Sequence, residues 1–210
     1  MAAPLLSPDK SYTFSDIFAL GVPADRVSEH FGYEFSVKKI DTVPPTDKAF
    51  AELDIVRQLM ETALLHTLLD SEAIRREVLI APLVVMVAKL ANAFFRAEYP
   101  VSVTPHLQGR LDYLLMRKAS PDDYLLIIEA KRQDTVYGMA QLAAELIALD
   151  QWDKTSNQAT LTGAISTGEI WQFAVLHRAE QHIYQDISLY QAPRDLNVLA
   201  SILLRALNRE

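Results

Sequence analysis

The sequence predicts an α/β fold: a mixed β-sheet flanked by helices, with a small α+β appendage at the N-terminus. Helical periodicity is followed by three strand patterns, a helix, two or three further strands and a closing helix, an order typical of sheets covered by helices. Four consecutive aliphatic residues in Tyr124–Glu129 indicate a strand buried on both faces. With 210 residues, half of them hydrophobic, the chain is long enough for one domain with a sizeable core.

The appendage is predicted to span residues 1–45. Pro44 and Pro45 end it, and residues 46–210 are expected to form the main domain. Apolar and polar residues alternate in its last part, as they do in a half-buried strand. The elements expected in the appendage are two short helices and this strand, over residues 13–20, 23–30 and 33–40.

The main domain is expected to begin with two helices. Apolar residues at three- and four-residue spacing predict the first from Thr46 to about Leu69. Ser71 can cap the second, which is expected to run to about Ala97, with Pro82 kinking or splitting it. The remaining predicted elements are strands over 99–105, 110–117, 124–132, 161–166, 170–177 and 182–190, and helices over 136–150 and 195–208.

Composition and charge limit the classes of function. No cysteine is present, which excludes disulfides, thiolate zinc sites and a cysteine nucleophile. The most apolar run, residues 78–88, is too short for a bilayer, which needs about 20 residues. The N-terminus lacks a signal-peptide pattern, so a cytoplasmic protein with no membrane association is expected. The net charge of −7 opposes nucleic-acid binding, and the local basic clusters are only Arg75-Arg76, Arg117-Lys118 and Lys131-Arg132.

Three charged residues on two predicted strands are the candidates for chemistry. Glu129 and Lys131 follow the aliphatic run, and alternation along a strand puts both on one face. Asp112 lies on the preceding strand, which a turn at residues 119–123 can join to this run as a hairpin. Two carboxylates and an ammonium group at one place are what a Mg²⁺-dependent hydrolytic site needs, because the cation takes hard oxygen ligands.

The order of these residues resembles a known nuclease superfamily. Gly109-Arg-Leu-Asp112, then Ile127-Ile-Glu-Ala-Lys131, then Gln141 is similar to the PD-(D/E)xK nucleases, which have the restriction-endonuclease-like fold. The nearest member is the N-terminal nuclease module of type I restriction enzyme motor subunits. The resemblance covers about residues 70–190, and Leu111 stands where the name-giving proline of the family would be.

The resemblance implies a metal site. Asp112, Glu129 and the carbonyl of Ala130 would bind Mg²⁺ or Mn²⁺, and Glu77 would complete the shell from its helix. Lys131 would orient the attacking water or help to deprotonate it, and would stabilise the charge that develops on the phosphate.

The implied activity is metal-dependent hydrolysis of DNA, with Gln141 as a further catalytic residue that positions a ligand or a substrate phosphate. Arg110 and Arg132 are the nearest candidates for contacts with the DNA backbone. A homodimer is expected, because two copies would bring two sites to two strands and pool the scattered basic residues.

Less specific interpretations stay open for each residue. Glu129 and Lys131 form a surface ion pair in one of them, Glu77 is a surface charge, and Gln141 makes a structural hydrogen bond. At the level of function, the alternatives are a non-catalytic binding or regulatory module and a metal-dependent hydrolase of small phosphorylated molecules. Whether the site opens onto a long groove, a closed pocket or neither distinguishes these alternatives.

Overall fold

A mixed β-sheet forms the centre of the structure, a computed structural model that describes residues 5–41, 50–117, 124–129, 135–152 and 158–207, with backbone only for 124–129 and Thr135. Its eight described strands lie in the order β1-β7-β6-β5-β4-β3-β2, with β8 paired to β6. The strands are β1 (Glu34–Lys38), β2 (Ala93–Thr104), β3 (Leu107–Arg117), β4 (Tyr124–Glu129), β5 (Thr160–Ser166), β6 (Ile170–His177), β7 (His182–Asp186) and β8 (Tyr190–Gln191).

Helices cover both faces of the sheet. The helices are α1 (Phe14–Ala19), α2 (Ala24–His30), α3 (Leu53–His66), α4 (Glu72–Arg75), a π-helical segment (Arg76–Ile80), α5 (Ala81–Leu90), α6 (Thr135–Trp152) and α7 (Leu196–Leu207). Within the described parts of the chain, no helix combines the length and the apolar character needed to cross a bilayer.

Two hydrophobic cores show how the layers are arranged. Leu114 packs in a core with α1, α2 and α6, whereas its neighbour Leu115 packs in a second core with α3, α5 and α7. Ile165 and Ala164 of β5 divide between the same two cores. Because successive side chains of a strand point to opposite faces, the sheet lies between the two helical layers. The predicted mixed α/β architecture is confirmed.

The N-terminal segment is packed into this sandwich. Thr13 caps α1 through a reciprocal pair of hydrogen bonds with Asp16. β1 extends the sheet by pairing in parallel with β7. Buried residues of α1 and α2, including Phe14 and Val27, share the core with α6. The two short helices and the strand predicted for this segment are confirmed.

The second predicted helix ends earlier than expected. α5 stops at Leu90, and β2 begins at Ala93, within the stretch expected to be helical as far as Ala97. Asn92 adopts a left-handed conformation (φ 49°), which ends the helix. From Ala93 the chain pairs with β3, and these hydrogen bonds outweigh the local helical pattern. The sequence predicts a kink or a split at Pro82, and the helix changes there from the π-helical segment, which ends at Ile80, to α5, which has Pro82 in its first turn.

An irregularity in the β2–β3 hairpin lies beside the predicted site. Glu98 has a left-handed backbone (φ 52°), and Asp112 lies in the gap between the neighbouring pairs Ala97–Tyr113 and Tyr99–Leu111. Leu111 packs in the core with α1, α2 and α6, but Tyr113, two residues later, packs in the core with α3, α5 and α7. The regular alternation of faces therefore changes at Asp112, at the boundary between the two layers.

Gly109 fixes the approach of α1 to this hairpin, and Gly109→Ala is expected to lower the free energy of unfolding by about 3 kcal/mol. A Cβ atom there would lie 2.7 Å from Cδ2 of Phe14, which is buried, and the backbone φ of +151° disfavours a side chain. Urea denaturation gives the measurement. The matched control is Gly32→Ala: Gly32 also has a positive φ (+82°) but no atom within 4 Å of the new Cβ, so about 1 kcal/mol is expected. Equal losses in the two variants would contradict the steric argument.

Candidate active site

A cleft of about 510 Å³ opens between the start of α1, the β2–β3 hairpin and α6. Three of the predicted site residues, Arg110, Asp112 and Gln141, line it together. The N-terminal segment forms one wall through Thr13 and Ser15. The remaining lining residues come from the hairpin: Glu98, Pro100, Val101, Ser102, Gln108 and Gly109.

Asp112 presents a half-buried carboxylate to the cleft, with 24% of its side chain exposed. Its Oδ1 lies 3.7 Å from a terminal guanidinium nitrogen of Arg76 on the π-helical segment. The same nitrogen lies 2.8 Å from Oε1 of Glu98. Arg76 therefore links the two carboxylates on either side of the hairpin irregularity.

The guanidinium of Arg76 is fixed by its surroundings. It lies over the ring of Tyr113, 5.2 Å from the centroid. Burial opposes its charge, but a hydrogen bond to Tyr113 and the carboxylates of Glu98 and Asp112 outweigh this and raise the pKa of Arg76 above its usual value. A permanent positive charge thus lies beside Asp112.

Glu129 ends β4, where its backbone pairs in parallel with Ser166 of β5. The antiparallel β3–β4 ladder has its last pair at Tyr113 and Ile127. Asp112 lies one residue beyond that pair on β3, and Glu129 lies two residues beyond it on β4. Both residues are therefore at the same end of two neighbouring strands, whose opposed Cα atoms are typically about 4.5–5.5 Å apart.

Several predicted site residues fall outside the described part of the chain. Ala130, Lys131 and Arg132 lie in the segment between β4 and α6, and the side chain of Glu129 is also undescribed. The predicted turn at residues 119–123 lies outside it as well. The expectation that Glu129 and Lys131 share a face, and the roles assigned to all four residues, stay predictions.

Glu77 is exposed on the π-helical segment, next to Arg76. Within the described residues, no group of three or more His, Asp or Glu side chains is close enough to hold a metal ion. The predicted ligand set includes Glu129 and Ala130, which this statement does not cover. The role of Glu77 as a metal ligand also stays a prediction.

Arg110 is exposed at the edge of the cleft. Its guanidinium donates a hydrogen bond of 2.9 Å to the backbone carbonyl of Glu98, the residue with the left-handed backbone. This contact holds the Arg110 side chain along the hairpin, on the same cleft wall as Asp112. A guanidinium placed there has the chemistry to bind a phosphate.

A buried carboxyl group lies behind Gln141. Nε2 of Gln141 donates a hydrogen bond of 2.8 Å to Oε1 of Glu145, one helical turn further along α6. Glu145 is fully buried, and its Oε2 has no hydrogen-bond partner among the described residues. Burial raises the pKa of Glu145 well above its usual value; the hydrogen bond from Gln141 opposes this rise, and the charge of Asp112 adds to it.

Sequence reasoning missed both Arg76 and Glu145. Arg76 was visible only as half of a basic pair, and its partners Glu98 and Asp112 are distant in sequence. Glu145 carried a signal, because it follows Gln141 by four residues within an otherwise apolar helical stretch.

The described cleft brings together the carboxylates of Glu98 and Asp112, the carboxamide of Gln141 and the guanidinium of Arg110. Carboxylate and carboxamide oxygens are suitable ligands for hard divalent cations. One guanidinium group can donate two parallel hydrogen bonds to the oxygens of a phosphate. No protein-family model matches this chain, and no curated protein matches it.

Proposed function

We propose that the protein is a Mg²⁺- or Mn²⁺-dependent nuclease of the restriction-endonuclease-like fold that hydrolyses phosphodiester bonds in DNA. One observation carries the proposal: Asp112 and Gln141 line the same cleft, and the strand of Asp112 pairs with β4, which ends at Glu129. The sequence puts a second carboxylate, Glu129, at that strand end and an ammonium group, Lys131, two residues later.

The residues present fit a hard divalent cation. Asp112 offers a half-buried carboxylate at the cleft, and Gln141 offers a neutral carboxamide on the facing helix. Asp112, Glu129 and the carbonyl of Ala130 would hold the ion, with Glu77 as a further ligand. When bound, Mg²⁺ would supply the charge that lowers the pKa of the attacking water and neutralises the anionic transition state.

The other residues of the proposed site act on water and phosphate. Lys131 orients the water and stabilises the negative charge that develops on the phosphate during the attack. Arg110, on the cleft wall, binds a neighbouring phosphate, and Arg132 is proposed to do the same. In a homodimer, two such sites act on the two strands, and the basic residues of both copies add together against the charge of −7.

The direct test incubates the purified chain with supercoiled plasmid, linear duplex, single-stranded DNA and RNA, each with Mg²⁺, Mn²⁺ or a chelator. Cleavage of DNA that requires the metal and is absent in Asp112→Asn is expected. Persistent cleavage in the chelator, or none with any DNA at millimolar metal, would contradict the proposal.

Binding to DNA is expected to be weak and strongly dependent on salt, because the net charge of −7 leaves few phosphate contacts. With about three contacts, the affinity should fall about 40-fold between 50 and 200 mM salt. Fluorescence anisotropy with a labelled duplex, in Ca²⁺ to prevent cleavage, measures this. Tight binding that is insensitive to salt would mean that the interface does not depend on phosphate contacts.

A second candidate is hydrolysis of a small phosphorylated molecule. Two observations favour it: the cleft volume of about 510 Å³ lies within the range of small-molecule sites, and such a substrate needs no extended basic surface. Comparing kcat/KM for a dinucleotide, a mononucleotide and a 20-base-pair duplex separates the two candidates. A value for the dinucleotide or mononucleotide above that for the duplex would favour the small substrate.

A further inference from the structure

The carboxyl group of Glu145 is placed where a folding core alone would not need it. Its neighbours on α6, such as Leu142, Leu146 and Ile147, are buried hydrophobic residues. Burying a carboxyl group costs free energy unless each oxygen has a partner. Oε2 of Glu145 has none among the described residues. An apolar side chain of similar volume would fit the core better.

Among the described residues, the hydrogen bond that Glu145 makes leads towards the cleft. Nε2 of Gln141 donates to Oε1 of Glu145, and Gln141 lines the cleft with Asp112. A carboxamide has a donor end and an acceptor end. Because the buried carboxyl engages the NH₂ end, the oxygen of Gln141 is the group left for the cleft.

We propose that Glu145 is a positioning residue: it holds the carboxamide of Gln141 so that the carboxamide oxygen faces the proposed cation site beside Asp112. The inference rests on the proposed function, since it assigns the occupant of the cleft as a divalent cation. The Gln141 oxygen binds the ion or a water in its shell, whereas a reversed carboxamide would present N–H groups that a cation repels. Glu145 itself touches neither the ion nor the substrate.

A double-mutant cycle on the full chain tests the inference, with Mn²⁺ affinity measured by isothermal titration calorimetry. Gln141→Ala and Glu145→Met should each weaken binding by about fivefold, the effect of one neutral hydrogen-bonding contact. The double variant should bind no more weakly than either single variant, because Glu145 acts only through Gln141. Glu145→Gln keeps an oxygen that accepts from Gln141 and should stay within about twofold of the wild type.

The metal-free melting temperature separates positioning from a structural role. Glu145→Met should melt at or above the wild-type temperature, because it removes a buried oxygen that has no described partner. A purely structural Glu145 would instead lower the melting temperature and leave the Mn²⁺ affinity unchanged.

The outcomes separate this inference from the proposed function. Effects that multiply to about 25-fold in the double variant, or a Glu145→Met variant with wild-type affinity, would overturn the role of Glu145 alone. A wild-type chain that binds no Mn²⁺ would overturn the cation site and the inference together. Mn²⁺ binding without DNA cleavage would count against the nuclease activity, while the cycle would still decide the role of Glu145.

Discussion

Lys131→Ala is expected to lower metal-dependent DNA cleavage by at least about a thousandfold and to leave Mn²⁺ affinity within about twofold of the wild type. The ammonium group acts on the attacking water and on the charge that develops at the phosphate, so its loss affects the transition state more than the bound ion. Single-turnover cleavage at saturating metal, together with calorimetric Mn²⁺ titration, measures the two effects separately.

Two variants make this result specific. Lys89→Ala removes an exposed lysine at the end of α5 and should cleave like the wild type. Glu129→Gln removes a charged ligand and should weaken both Mn²⁺ binding and cleavage. Cleavage that copurifies unchanged with both Lys131→Ala and Glu129→Gln would belong to a contaminating nuclease. Loss of metal binding in Lys131→Ala as large as its loss of cleavage would contradict the separation of roles.

The sequence was sufficient for elements whose pattern and tertiary environment agree. α6 is a long, almost continuously apolar stretch, and Thr167-Gly168 separates the two apolar runs of the β5–β6 hairpin, so both were predicted within a few residues. The prediction for Ala93–Ala97 was wrong, because the local pattern of these residues continues the preceding helix while their backbone pairs with β3. That pairing joins residues far apart in the chain, which periodicity does not detect.

The same limit applies to the site. Asp112 was predicted next to the strand that ends at Glu129 because the two strands lie close together in the sequence, and β3 does pair with β4. Arg76 reaches Asp112 only after α5 and β2 have packed against each other, so its contact depends on tertiary structure. The burial of Glu145 depends on both the sheet and the N-terminal helices that cover α6.

Asp112→Asn is expected to abolish the stabilisation that Mn²⁺ gives to the wild type. A ligand that binds only the folded state at 100 times its dissociation constant adds about 2.7 kcal/mol to the free energy of unfolding. Without the charge of Asp112, the ion loses one of its proposed carboxylate ligands, and millimolar Mn²⁺ should shift the melting temperature little. The measurement is thermal unfolding with increasing Mn²⁺, beside a chelator control.

The metal-free stability of Asp112→Asn is expected to stay close to that of the wild type. Arg76 keeps its shorter ion pair with Glu98 (2.8 Å against 3.7 Å) and its place over Tyr113, so the substitution leaves its buried charge compensated. Glu180→Gln is the matched control: Glu180 follows β6 at the end of the sheet opposite Glu129, and its loss should leave the Mn²⁺ shift intact. A wild-type melting curve that millimolar Mn²⁺ does not change, or a full shift in Asp112→Asn, would show that Asp112 binds no ion and would favour a non-catalytic binding module.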